Sequence, residues 1–277
     1  ISSLIGFDTS TGHVAVFAEG TLLTAMRTGA ASAVATRILA KESASTIGLI
    51  GAGAQAVSQL HALGRVLDIE RVLLHDTNPA AAASFHRRVA GFASGLEITM
   101  ADAETVASQA DVLCTVTSVE AGSGPVFRDT DLRDGLHLNA VGADFPGKFE
   151  LPETLLQRAF VCPDFPSQAL QEGESQRLAP ESLVPDLIEL VKGRSQYQAK
   201  RRELTVFDST GFALEDHVAL EVTTRLAGEL GVGTTLKTSA QSDARNPYSG
   251  LFNEGPRRSV AEPGSPPLMV RATDTGR

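Results

Sequence analysis

The stretch Thr46-Ile47-Gly48-Leu49-Ile50-Gly51-Ala52-Gly53-Ala54-Gln55-Ala56 decides the fold. Its first five residues are a short, β-rich apolar run, as in a parallel strand whose sheet is covered on both faces. The glycines follow at once, and residues 55–67 then take helical spacing. A second apolar run, Arg71-Val72-Leu73-Leu74-His75-Asp76, closes a βαβ unit of about 30 residues, the length such a unit needs. In that context Gly51 permits a tight turn and Gly53 lets the backbone approach a pyrophosphate. The helix N-terminus offers it unpaired N–H groups and a positive dipole end. Ala56 stands where a small residue allows close helix packing. The bland alternative is a strand-to-helix turn that happens to use two glycines. Asp76 ends the second strand, where an acid accepts both ribose hydroxyls and repels a 2′-phosphate; this points to NAD rather than NADP. A turn role for Asp76, favoured by Thr77-Asn78-Pro79, is its alternative. Thr115 and Thr117, at the end of a later strand, read either as cofactor contacts or as β-branched strand filling.

Outward from this unit the alternation continues. Helical patterns at residues 80–93 and 103–109 and strand patterns at 97–100, 111–116, 136–141 and 204–207 predict an α/β fold, a Rossmann-type doubly wound parallel sheet. Upstream, residues 4–7 and 14–17 flank a turn in the manner of a hairpin, and residues 21–40 form an Ala-rich helix carrying Arg27. Downstream, residues 218–230 are helical and 234–237 predict a short strand; from Ser239 the composition turns to Ser, Asn, Pro, Gly and Arg, which predicts a disordered tail over 239–277. The expected domains are therefore residues 41–212 for the cofactor, with residues 1–40 and 213–238 as the remnant of an α/β outer substrate and dimerisation domain.

Composition excludes other classes. The 277 residues are 42% hydrophobic, enough for a two-domain enzyme, and carry a net charge of −9 with no basic run longer than Lys200-Arg201-Arg202. That leaves no electrostatic footprint for nucleic acid or an anionic membrane. Cys114 and Cys162 form no CxxC pair, and His13, His61, His75, His86, His137 and His217 show no ligand spacing, so no metal is expected. With no secretory leader pattern and no apolar stretch near the about 18 residues of a membrane span, a reducing cytoplasm is the expected setting. The chain opens on Ile1 inside a strand-like run, which reads as part of a longer protein.

Four segments carry a resemblance: Leu23-Thr24-Ala25-Met26-Arg27-Thr28, Ile50-Gly51-Ala52-Gly53-Ala54-Gln55, His137-Leu138-Asn139-Ala140-Val141-Gly142-Ala143-Asp144-Phe145-Pro146-Gly147-Lys148, and Phe207-Asp208-Ser209-Thr210-Gly211-Phe212-Ala213-Leu214-Glu215-Asp216. Together they resemble the ornithine cyclodeaminase and mu-crystallin family, with the bacterial ornithine cyclodeaminases the nearest branch. The resemblance implies NAD used and regenerated: the α-amine of L-ornithine is oxidised to an imine, the δ-amine attacks, ammonia leaves, and the ring imine is reduced to L-proline. It implies Asp144 as the catalytic acid and base, whose burial would raise its pKa. From sequence alone Asp144 reads as a turn residue. Arg27 and Thr210 are implied at the substrate, Arg27 holding its carboxylate by paired hydrogen bonds. Arg27, Ala54, Gln55, Val141, Gly142, Ala143, Lys148 and Ser209 are implied at the cofactor. A surface helix role for Arg27 and a solvated one for Lys148 are the alternatives.

The family expectation is a homodimer, with an upstream region, absent here, that completes the substrate clamp. The chain departs from the cyclodeaminases at Ala143, Phe145 and Thr210, where Gly, Cys and Val are usual, and two of these line the pocket. The competing functions are a reductase of cyclic imino acids such as Δ1-pyrroline-2-carboxylate, an alanine dehydrogenase, or a member that binds a nicotinamide cofactor without turnover.

Overall fold

A computed structural model describes residues 2–183 and 185–236. Its elements divide into two compact units, one of Thr24–Asp216 and one built from Ile1–Leu23 with His217–Arg277. The larger unit takes in most of helix α1 (Thr21–Leu39) and the first turn of helix α9 (Ala213–Leu230). Sequence patterning grouped both helices with the outer part.

In the smaller unit, strands β1 (Ser3–Phe7) and β2 (Val14–Glu19) form an antiparallel hairpin that pairs Ile5 with Phe17 and Phe7 with Val14. Those four side chains share one face and are exposed. Residues 234–236 form no strand, against the expectation for 234–237; Lys237 and the expected tail, 239–277, lie outside the described residues.

The larger unit holds a seven-stranded, wholly parallel sheet. In chain order it contains β3 (Thr46–Ile50), α2 (Ala54–Leu63), β4 (Arg71–His75), α3 (Pro79–Ala93), β5 (Glu97–Met100), α4 (Ala103–Gln109), β6 (Val112–Thr115) and β7 (His137–Ala140). There follow α5 (Glu153–Arg158), β8 (Phe160–Pro163), α6 (Pro166–Glu172), α7 (Leu187–Lys192), α8 (Arg194–Tyr197) and β9 (Thr205–Asp208). The strands lie in the order β5-β4-β3-β6-β7-β9-β8, so the winding reverses between β3 and β6. That switch point is where open α/β sheets bind ligands, outside the carboxyl ends of the strands.

The apolar runs alternate between two cores. Ile47 and Leu49, Val72 and Leu74, and Val112 and Cys114 enter the core on one face; Ile50, Leu73 and Leu113 enter the core on the other. Both faces are thus covered, as uninterrupted apolar strands require. Helix α3 begins where its sequence directs: Asn78 accepts the N–H groups of Ala80 and Ala81, and Pro79 takes the first position, where its missing N–H costs nothing. Strand β8 and helices α5 to α8 have no counterpart in the hydrophobic patterning. Among the described residues no helix is long and apolar enough to cross a membrane.

Candidate active site at the switch point

One row of backbone bonds brings distant residues together. Ile50, Thr115, Ala140 and Asp208 are register partners across β3, β6, β7 and β9. The ladder runs one residue further: Val116 N–H donates to Ile50 O, Val141 N–H to Thr115 O, and Ser209 N–H to Ala140 O. Gly51, Val116, Val141 and Ser209 therefore stand side by side at the carboxyl edge. A cavity of about 190 Å³ opens there, lined by Thr24, Arg27, Thr28, Gln55, Val116, Thr117, Val141, Gly142, Asp144, Ser209 and Thr210.

The glycine turn has the form a pyrophosphate needs. Gly51 has φ +102°, and a Cβ there would lie 2.7 Å from Val116 O, so only glycine lets the turn pass beneath the β6 loop. A Cβ on Gly53, by contrast, would meet nothing within 4 Å. Gly53 caps α2 without any side-chain bond, so the first-turn N–H groups beginning at Ala54 are left for a ligand. Ser209 Oγ is buried with no partner among the described residues. These features fit a dinucleotide. Asp76 braces the turn: Oδ2 accepts Ala52 N–H at 2.6 Å and Oδ1 accepts Asn78 N–H at 2.7 Å. A carboxylate has about four acceptor sites, so the turn role and ribose binding coexist.

Arg27 is 13% exposed, not a surface helix residue. Its Nε binds Asp216 at 3.0 Å and its Nη1 binds Glu215 at 3.2 Å. Burial and the neighbouring Asp164 push the Glu215 carboxyl up to about 7, against the pull of Arg27. Thr210 donates to Asp164 Oδ1 at 3.0 Å, and Asp164 also holds Phe165 N–H at 2.7 Å.

Thr115 is wholly buried within the sheet, its Oγ1 without a partner among the described residues; Thr117, two residues on, lines the cavity wall. One expectation is corrected. Asp144 is not buried: its side chain is 63% exposed on a loop, and Lys148 Nζ holds its Oδ1 at 2.9 Å. The Lys148 side chain, at 12% exposure, is packed rather than solvated. Ala143 is buried behind the loop. Among the described residues no cluster of His, Cys, Asp and Glu is arranged to hold a metal.

Sequence reasoning missed the acids behind this edge. Glu174, Asp208 and Glu150 are wholly buried, and burial pushes Glu174 up to about 8 and Asp208 up to about 6. Carboxyls raised in the folded state hold protons more tightly there, so stability falls as pH rises from the ordinary 4.5 of a glutamate toward 8. Burial lowers His137 to about 3, which acts in the opposite sense only below its ordinary 6.5. Between those limits the acids act alone. Thermal melts should show the unfolding temperature falling between pH 6.5 and 8; a rise would contradict the burial of Glu174 and Glu215.

The chain matches the ornithine cyclodeaminase/mu-crystallin family over residues 1–227. It is 46% identical over 250 residues to L-lysine cyclodeaminase of Streptomyces rapamycinicus, covering 90% of this chain and 72% of that protein. It is 36% identical over 213 residues to ornithine cyclodeaminase of Agrobacterium fabrum, covering 77% of this chain but only 60% of that protein. A solved lysine cyclodeaminase, studied for its recognition of L-lysine, L-ornithine and L-2,4-diaminobutyric acid, superposes with a TM-score of 0.85 at 48% identity, over 89% of this chain and 71% of that one. Δ1-Pyrroline-2-carboxylate reductase of Thermococcus litoralis, solved with NADH and L-proline, superposes with a TM-score of 0.77 at 32% identity, over 84% and 74%. A Rossmann sheet with this glycine turn, matched by a family model across 227 residues, leaves one conclusion: the chain belongs to the ornithine cyclodeaminase/mu-crystallin family.

Proposed function

We propose that this chain binds NAD and acts as a cyclodeaminase of L-diamino acids, releasing ammonia and closing the carbon chain into a saturated cyclic amino acid. The observation that supports it is the convergence of Arg27, Asp144 and Gln55 around one cavity, with Gln55 in the first turn of the helix that the uncapped glycine turn opens and Lys148 bound to Asp144. Gly51, Gly53, Ala54 and Asp76 would hold the dinucleotide, with Gln55, Thr117, Val141 and Ser209 at its reacting end. When bound, NAD supplies an acceptor that takes a hydride from the substrate carbon and later returns it, so the net change is loss of ammonia without oxidation.

The chain's own residues do the rest. Arg27 gives its Nε–H to Asp216 and one N–H of Nη1 to Glu215, which fix its plane and leave the second N–H of Nη1 and those of Nη2 to the substrate carboxylate. Lys148 holds Asp144 Oδ1 and leaves Oδ2 to move protons. It takes one from the side-chain ammonium, freeing that nitrogen to attack, and gives one to the departing α-nitrogen. L-Ornithine is the substrate the motif resemblance implies, and the 46% identity to a lysine cyclodeaminase supports L-lysine beside it. Assembly as a homodimer, with the smaller unit in the outer domain, is part of the same proposal.

A reductase of cyclic imino acids is the second reading, favoured by the superposition on the Thermococcus enzyme. Deuterium at the substrate Cα separates the two. A cyclodeaminase keeps the label in the cyclic product, because the same hydride leaves and returns. Formation of an unlabelled product, or of no cyclic product with either diamino acid, defeats the proposal.

A further inference from the structure

The buried carboxylates behind the cavity form a series that the reaction itself does not use. Glu150 Oε1 accepts the N–H of Thr117 at 2.7 Å and its hydroxyl at 2.6 Å; Oε2 accepts the N–H of Gly142 at 2.8 Å. One side chain thus ties the loop after β6 to the loop after β7, the two that carry Thr117 and Asp144. Glu150 is held in turn, since its own N–H and that of Leu151 donate to Glu174 Oε1 at 2.5 and 3.2 Å. The N–H of Glu174 and both donors of Ser175 bind the carboxylate of Asp208, which ends β9. Each carboxylate holds the backbone that carries the next.

Asp144 needs such support. Its side chain is exposed and is bonded to Lys148 of the same loop, so its position rests on the anchoring of the loop ends. Gly142 is the near anchor, on Glu150. Gly147 is the far one, its N–H donating to Gln176 Oε1 at 2.8 Å. The fit at Gly142 is tight: a Cβ there would stand 2.3 to 2.5 Å from the Glu150 carboxylate, so the glycine and the acid require each other. Burial raises the Glu150 carboxyl while the donors from Thr117 and Gly142 oppose the rise. All three bonds run toward its oxygens, the pattern an ionised carboxylate accepts.

We propose that Glu150 is a positioning residue, which sets Asp144 and Thr117 against the cavity by accepting three hydrogen bonds from the two loops that carry them. Its catalytic consequence rests on the cyclodeaminase reading above; its structural core does not. Glu150→Gln keeps the shape but turns one acceptor into a donor facing an N–H. Hydrogen exchange on the whole chain should show amides at Thr117 and across 142–148 exchanging about tenfold faster, with β3 and β4 still protected. Turnover of L-lysine or L-ornithine should lose about tenfold or more in kcat, with KM changed by about twofold at most, as a displaced catalytic group implies. Thr117→Val removes one of the three donors, so the double variant should lose less than the product of the two single losses.

Exchange unchanged at Thr117 and 142–148, exchange raised evenly across the sheet, or fully multiplicative losses overturns the proposal. Should Glu150→Gln not fold, Thr117→Val alone must give the same local pattern at smaller amplitude, and its absence likewise overturns the proposal. Exchange that responds as stated, in a chain that turns over neither amino acid, upholds the role of Glu150 and defeats the cyclodeaminase reading instead.

Discussion

Asp144→Asn should lower kcat by about 10³-fold, equivalent to about 4 kcal/mol, within the 10²–10⁴ range a positioned general acid and base supplies. Asparagine keeps the size of the side chain and an oxygen for Lys148, which approaches Asp144 Oδ1 at 2.9 Å. What it loses is the ability to carry a proton between the two nitrogens. NADH affinity, read by fluorescence titration, should therefore stay within about twofold while turnover collapses. A variant that keeps a tenth of its activity would remove Asp144 from the chemistry.

Arg27→Met carries two effects that separate in measurement. The substrate carboxylate loses a charge-assisted partner, a loss of about 1.5–3 kcal/mol, and KM should rise by about 10- to 100-fold. The second effect is on stability, since Glu215 is only 11% exposed and Asp216 27%, and both lose their cation. Breaking a buried pair costs about 3–5 kcal/mol. Here Glu215, already pushed up to about 7, takes up a proton when its partner goes, and the expected loss falls at the lower end, about 3 kcal/mol. Denaturant unfolding measures it. Arg27→Lys should recover part of the stability but little of KM, because an ammonium cannot hold the planar fork.

The parts of this protein that were legible in sequence are those whose physics is local. A strand buried on both faces must be apolar throughout, so Thr46–Ile50 and Arg71–His75 announced themselves, and the glycine turn between β3 and α2 took its meaning from them. Strand β8, Phe160–Pro163, ends in a proline, a residue that reads as a break rather than as part of a strand. The site residues at 51, 116, 141 and 209 meet because of strand register, which no single segment encodes.

Other features depend on neighbours far along the chain. Glu150, Glu174 and Asp208 look like loop acids until the backbone N–H groups they serve are in place. Thr115 and Thr117 stand two residues apart with the same side chain, yet one fills the sheet and the other faces the cavity. Asp144 was identified by resemblance, and its exposure is a property of how its loop is anchored rather than of its flanking residues.

Stoichiometry decides whether the chain is a cyclodeaminase. The chain is incubated with NAD and either L-lysine or L-ornithine, and saturated cyclic amino acid, ammonia and NADH are followed together. The expected result is saturated cyclic amino acid and ammonia in equal amounts, no net NADH, and loss of both products in Asp144→Asn. NADH accumulating with each ammonia released, or no cyclic product from either amino acid, would contradict it.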